Sequence, residues 1–439
     1  MKRMSNFTGH FKYTLYAIEA LAVFATMLTL WIHGPRTCSD ATGYIMGAIS
    51  LKHSHAFLWQ ASDDELVKEG FGYEFKCPKN SVDLNEYRRD KAQGYQVHWA
   101  VGYPFSSVLL SQMTRLNLKH AFCLVNTLSI LATLLCVWSF CRVHANSVSL
   151  EMKLVFAIVF SSYLWLISMV AFSEALFLPM SLLSLFALDC YLRHKSPWAL
   201  IVSALLCGAC LLIRYAGLYL IPAGMFVLFF QQVGSQDCSS EGNKHRCIRE
   251  RFLPCCFYAI VSILPYIVWQ VRNYLVSGAI RGGRIAEPDF FARFLDILSL
   301  PAISFFPIPP QIQNGTCISI LLTVLSFALA FLLLVLLGLS LKIKANNGKI
   351  LLVSALSYVI FICVTTLVTG EPYPLNYRIM LPSLFPLCLY GMINYRTEMN
   401  NKVCLWGLRT LLFASFAWTH LYLFLFLAKN LYCVFRFHG

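Results

Sequence analysis

The chain has few ionisable side chains, and their positions narrow what they can do. Of 439 residues only 13% are Asp, Glu, Lys or Arg, and several of these recur at the ends of long apolar runs. Asp40 lies just past the first such run, in R-T-C-S-D-A-T-G-Y. A carboxylate held at a membrane edge and partly desolvated suits general-base work; just ahead of a helix it also suits an N-cap. Tyr44 follows four residues later, on the same helix face. Glu174, in V-A-F-S-E-A-L-F-L-P, stands between two apolar runs with almost no loop. An acid at that depth is costly unless it pairs or lines a cavity. Arg214, in L-L-I-R-Y-A-G-L-Y-L-I-P-A, ends the next hairpin at similar depth. The two therefore read either as a structural ion pair or as ligand contacts. Arg272, Arg281, Arg284 and Arg293 share one polar stretch, where Gly282-Gly283 admits a close backbone approach. Arg378 stands in G-E-P-Y-P-L-N-Y-R-I-M-L-P. A guanidinium fork binds phosphate oxygens in pairs, so arginines gathered at a membrane edge suit phosphate esters. The competing use is contact with anionic lipid headgroups.

The elements that must position these residues are apolar helices. Hydrophobic residues make up 58% of the chain, which excludes a soluble globular enzyme and a disordered tail protein. About eleven runs approach the ~20 apolar residues that a membrane span requires. They cover roughly 13–33, 119–141, 153–172, 175–192, 197–213, 216–231, 253–271, 317–341, 350–368, 379–394 and 403–428. The expected fold class is all-α: a polytopic transmembrane bundle forming a single membrane domain over residues 1–439. Two polar loops are long, at 34–118 and 272–316. The first should carry juxtamembrane helices: one after Asp40, over 41–51, and an amphipathic one starting at Tyr103-Pro104. Val108, Leu109, Met113 and Leu116 are expected along one side of the latter, lying on the membrane surface behind His98 and Trp99.

The charge balance, 35 basic against 21 acidic residues for a net +14, would suggest nucleic acid on a soluble protein. Here about half of the basic residues orient the chain. With the N-terminus cytoplasmic, every inside connection is basic, including Arg142, Arg193, Lys195, Lys244, Arg246, Lys342 and Arg396. Both long loops then face the lumenal or periplasmic side, and no nucleic-acid partner is expected. The compartment is read as a bacterial inner membrane or the endoplasmic reticulum. Most of the 17 cysteines lie in apolar runs as small hydrophobes, Cys207-x-x-Cys210 included. Cys38 and Cys77 share the first polar loop and would form a disulfide only in an oxidising compartment.

In their order along nearly the whole chain, these strings resemble the GT-C superfamily of polytopic glycosyltransferases. The branch is that of the protein mannosyltransferases, aminoarabinose transferases and Rgt-type lipopolysaccharide enzymes. D-A-T-G-Y looks like the family's acidic motif after the first span, and Y-P-F-S-S-V-L-L like its Y-P-P-G-Y helix, with Phe105 where a second Pro is usual. A-F-S-E-A-L-F-L, L-I-R-Y-A-G-L-Y-L-I-P-A, W-Q-V-R-N-Y-L-V-S-G and N-Y-R-I-M-L-P look like its later motifs. The resemblance implies an inverting transfer of a sugar from a polyprenyl- or dolichyl-phosphate donor to a lipid, glycan or protein acceptor. Asp40 would be the catalytic residue, deprotonating the acceptor hydroxyl or otherwise orienting it. Tyr44, Tyr103, Glu174, Arg214, Arg272, Arg284 and Arg378 would bind substrate and donor phosphate. Asp40 is followed by Ala41 where many relatives carry a second acid, so no metal ligand and no cofactor are assigned; a divalent metal is the one group the resemblance leaves open. The competing reading is a transporter or lipid flippase, favoured by Glu19 within the first span.

Overall fold

The structure, a computed structural model, describes residues 39–58, 62–71, 100–144, 171–230, 241–277 and 348–369, with scattered positions in 24–35 and 382–393. Among these residues every regular element is helical. In chain order they are α1 (Ser39–Ser54), α2 (Asp63–Lys68), α3 (Gly102–Thr114), α4 (Leu118–His144), α5 (Ser173–His194), α6 (Pro197–Ile213), a 3₁₀ turn (Tyr215–Tyr219), α7 (Leu220–Phe230), α8 (Glu241–Ser277) and α9 (Lys349–Thr369).

α4, α5 and the Phe252–Val276 part of α8 are long and apolar enough to cross a membrane. At ~1.5 Å per residue, the 27 residues of α4 reach about 40 Å, more than a hydrocarbon core of ~30 Å. Their surfaces are inverted relative to a water-soluble bundle. On α4, Leu128, Leu131, Leu135 and Trp138 point outward, while Asn126, Ser129 and Thr133 are buried. Lipid tolerates such an apolar exterior and water does not. The buried hydroxyls find acceptors within their own helix, Ser129 donating to the Val125 carbonyl at 2.7 Å and Thr133 to that of Ser129 at 2.8 Å. The protein is thus a membrane protein built from helices.

Helices meet where side chains are small. Ser184 of α5 donates to the Ser203 carbonyl of α6 at 2.9 Å, and Ser203 returns the bond to the Ser184 carbonyl at 2.8 Å. On α6, Gly208 lies against Pro265 and the Ser262 carbonyl of α8; on α7, Gly224 lies against the Tyr258 ring, which any β-carbon there would overlap. Lipid supplies no hydrophobic drive to bring helices together, so close backbone approach and buried hydrogen bonds do so instead.

α4 and α5 run in the same direction. Cys136 approaches the Pro179 carbonyl, and at the far end His144 meets Asp189 at 2.9 Å, with Arg193 on the same carboxylate oxygen at 2.9 Å. The basic ends of α4 and α5, carrying Arg142, Arg193 and Lys195, therefore share one end of the bundle. Neither Asp189 nor His144 stands out as a site by sequence.

The first long loop is folded into the bundle. α1 and α3 lie side by side in the same direction, joined by the Tyr44 and Tyr103 rings at one end and by Lys52 and Ser111 at the other. Over residues 41–50 α1 is buried on nearly every side, with Ala41, Tyr44, Ile45, Ala48 and Ile49 in the core. The helix starts at Ser39, so Asp40 lies within its first turn instead of capping it. The expected surface stripe of α3 is corrected as well. Its outward positions are Phe105, Leu109 and Met113, spaced by four, while Val108 is buried. Adjacent residues on a helix are about 100° apart, so Val108 and Leu109 cannot share a face. Ser107 and Ser111 point inward because acceptors await them, the Tyr103 carbonyl at 3.2 Å and the Leu116 carbonyl at 2.6 Å.

Candidate functional site

Five helices bring polar groups together at the end of the bundle opposite Asp189. α5 opens on Ser173 and Glu174, both buried. An acid in the first turn faces the positive end of the helix dipole. α6 ends at Arg214, whose extended backbone breaks the helix before the 3₁₀ turn. The Arg214 guanidinium meets the Glu174 carboxylate at 2.5 Å and reaches Ser173 Oγ at 3.5 Å. Glu174 is 3% exposed and Arg214 19%. From α1, the Tyr44 hydroxyl bonds Ser173 Oγ at 2.8 Å. Ser173 has one hydroxyl proton, and where it is donated to Glu174, at 3.4 Å, Tyr44 must be the donor to Ser173. The chain of donation then runs Tyr44, Ser173, Glu174. Edge-on to Tyr44 stands Tyr103 of α3, its hydroxyl held by Asn126 of α4 at 2.8 Å. Asp40 lies one helical turn before Tyr44 on α1; its side chain falls outside the described residues.

A second group adjoins the first through Tyr215, the residue after Arg214. Trp269 of α8 donates from Nε1 to the Tyr215 hydroxyl at 3.3 Å, and the Phe57 ring meets Trp269 edge-on. Arg272 lies over the Trp269 face at 4.8 Å and donates to Asn273 Oδ1 at 3.0 Å. Arg214 is balanced by a carboxylate, so that pair adds no net charge. Arg272 stacks on an aromatic face and bonds an amide.

A third group organises the loop. Glu69, just after α2, is buried at 2% exposure. Its carboxylate takes Lys52 Nζ at 2.8 Å, His53 Nε2 at 2.9 Å and the Leu118 N–H at 2.8 Å. Lys52 also donates to Ser111 at 3.0 Å. α1, α3 and the start of α4 thus close on one carboxylate. Burial pushes the Glu69 carboxyl up, but the Lys52 ammonium, the Leu118 N–H and His53 outweigh it and hold it below its ordinary value. Before it, α2 carries a capping box in which Ser62 and Glu65 exchange bonds.

Of the residues expected at a site, Tyr44, Tyr103, Glu174 and Arg214 come together, and Arg272 is linked to them through Trp269 and Tyr215. Arg284, Arg378, His98, Trp99, Glu19, Cys38 and Cys77 lie outside the described residues. Glu174 and Arg214 form the ion pair that was one of the two sequence readings. Sequence reasoning missed Ser173, Asn126, Trp269 and Glu69; the legible signal for Asn126 was a carboxamide in the middle of an apolar run. Cys207 and Cys210 are buried free thiols. Among the described residues no group of three His, Cys, Asp or Glu side chains is placed to hold a metal ion. No family model matches the chain, and no curated protein or solved structure matches it.

Proposed function

We propose that the chain is a multi-pass membrane glycosyltransferase of about eleven spans, with a cytoplasmic N-terminus and its site on the lumenal or periplasmic side. It transfers a sugar from a polyprenyl- or dolichyl-phosphate donor to a lipid, glycan or protein acceptor. The observation that carries the reading is the buried Tyr44–Ser173–Glu174–Arg214 group, set at the end of an apolar bundle one helical turn from Asp40. The shared direction of α4 and α5 fits the eleven-span topology, which has a return span at 153–172 between them.

In this reading the acceptor hydroxyl gives its proton to the Asp40 carboxylate as its oxygen attacks the anomeric carbon. The bond from that carbon to the donor phosphate oxygen breaks, and the lipid phosphate leaves with the electron pair. That leaving group requires positive charge more than an acid. Arg272, stacked on Trp269, is a candidate for it beside Arg214, whose charge Glu174 balances. Arg284 and Arg378 complete the set by sequence position.

The test is sugar transfer by the purified, reconstituted chain. Asp40→Asn should abolish transfer while insertion and folding persist; near-normal transfer removes Asp40 from catalysis. Arg378→Ala should weaken donor binding far more than Lys244→Ala, and equal effects would sink the phosphate assignment. Movement of lipid across vesicles without sugar transfer would replace this reading with a flippase.

A further inference from the structure

One buried side chain towards the end of α8 has no hydrogen-bond partner among the described residues. Gln270 is 8% exposed, and neither Oε1 nor Nε2 of its carboxamide makes a hydrogen bond among the described residues. It is not placed there by a polar surface. On the outward side of the same stretch stand Leu264, Ile267, Val268, Val271 and Leu275, all exposed and apolar. Gln270 belongs instead to the inward stripe of Ser262, Tyr266 and Asn273, at helical spacings of four, four and three. Ser262 fixes the direction of that stripe, since it donates to the Ala204 carbonyl of α6 at 3.2 Å. The carboxamide thus sits within the bundle, between Trp269 and Arg272 in sequence and level with the break after α6.

An amide kept buried without partners is costly and calls for an explanation. A carboxamide presents donors and an acceptor side by side. Neighbouring hydroxyls on a sugar ring, each able to give and to take a hydrogen bond, match that edge. A phosphate offers mainly acceptors and would face Oε1 unfavourably, and a lipid chain would leave both atoms unpaired. We infer that the Gln270 carboxamide binds hydroxyl groups of the sugar carried by the donor, while Arg272, two residues on, serves the adjoining phosphate. This rests on the glycosyltransferase reading and adds to it a residue that reads the sugar.

The experiment measures binding of three probes to the full chain in lipid nanodiscs: undecaprenyl phosphate, dolichyl-phosphate mannose and dolichyl-phosphate glucose. The wild type should prefer at least one sugar-bearing lipid to the sugar-free one. Gln270→Leu should weaken that lipid at least tenfold, leave undecaprenyl phosphate within twofold, and not lower thermal stability, because the substitution removes an unpaired amide. Gln270→Met, which keeps the size but loses the donors and the acceptor without adding charge, should show the same selective loss and serves if the leucine variant does not insert. Unchanged sugar preference in both variants would overturn the inference while leaving the donor reading standing. Equal loss of all three probes together with lower stability would assign Gln270 a structural role and overturn it as well. A wild type that binds none of the three would overturn the donor reading itself, and this inference with it.

Discussion

Removing one partner of the Glu174–Arg214 pair should destabilise the protein far more than removing both. The carboxylate is 3% exposed and the guanidinium 19%. Breaking a fully buried pair costs ~3–5 kcal/mol, because the remaining charge is stranded. Arg214 is partly exposed, and the hydroxyls of Ser173 and Tyr44 stay near a stranded Glu174, so the cost falls at or just below the lower end of that range. Glu174→Met and Arg214→Met should each cost about 2–3 kcal/mol, roughly a 30- to 150-fold shift in the unfolding equilibrium. The double variant, with no charge left to strand, should fall within about 1 kcal/mol of wild type. Unfolding by SDS in mixed micelles, read by tryptophan fluorescence, measures all four proteins on one scale. Simple additivity of the two single effects would refute the reasoning, as it would mean the two side chains do not interact. The same double variant separates the two roles of the pair. Sugar transfer surviving in a restored fold assigns the pair to structure; transfer lost in a restored fold assigns it to the ligand.

Further outcomes follow from the packing and the loop. Glu69 has its carboxyl held below the ordinary value of 4.5. Its contribution to stability is therefore complete above that value and is lost as pH falls through the lower folded one. Glu69→Gln should be less stable than wild type at neutral pH, with the gap narrowing below about pH 4.5; a gap constant down to pH 3 would contradict the assignment. The charged and titratable partners facing it are Lys52 and His53, and Lys52→Met should flatten the same profile. Gly224→Ala drives a β-carbon into the Tyr258 ring and should cost about 1–3 kcal/mol in the same SDS titration. Gly224→Ala with Tyr258→Leu should recover part of that loss.

Helix positions were legible because in a membrane both the lipid-facing and the core-facing residues are apolar, so hydropathy marks the whole run. For the same reason it conceals which face is which, and that is why Val108 groups with Leu109 by sequence and parts from it in the fold. The Glu174–Arg214 contact was readable since each charge ends a neighbouring hairpin and neither is stable alone at that depth. The link from Tyr44 to Ser173 was not, because 129 residues separate them and no local pattern joins them. Glu69 was hidden differently. Its segment, S-D-D-E-L-V-K-E, reads as an ordinary polar helix, while its partners come from before and after it in the chain. Asp189 and Arg193 stand at a visible spacing of four, but His144, which completes their group, comes from another helix.

The Glu69 contacts bear on how the covalent chain is used. Lys52 and His53 grip this carboxylate from one direction, and Leu118 from the other, across the stretch of sequence between residues 72 and 99. Side chains and the α1–α3 interface fasten the described residues on either side to each other. A polypeptide nicked there should remain one particle, and two fragments made separately should find each other in the same bilayer.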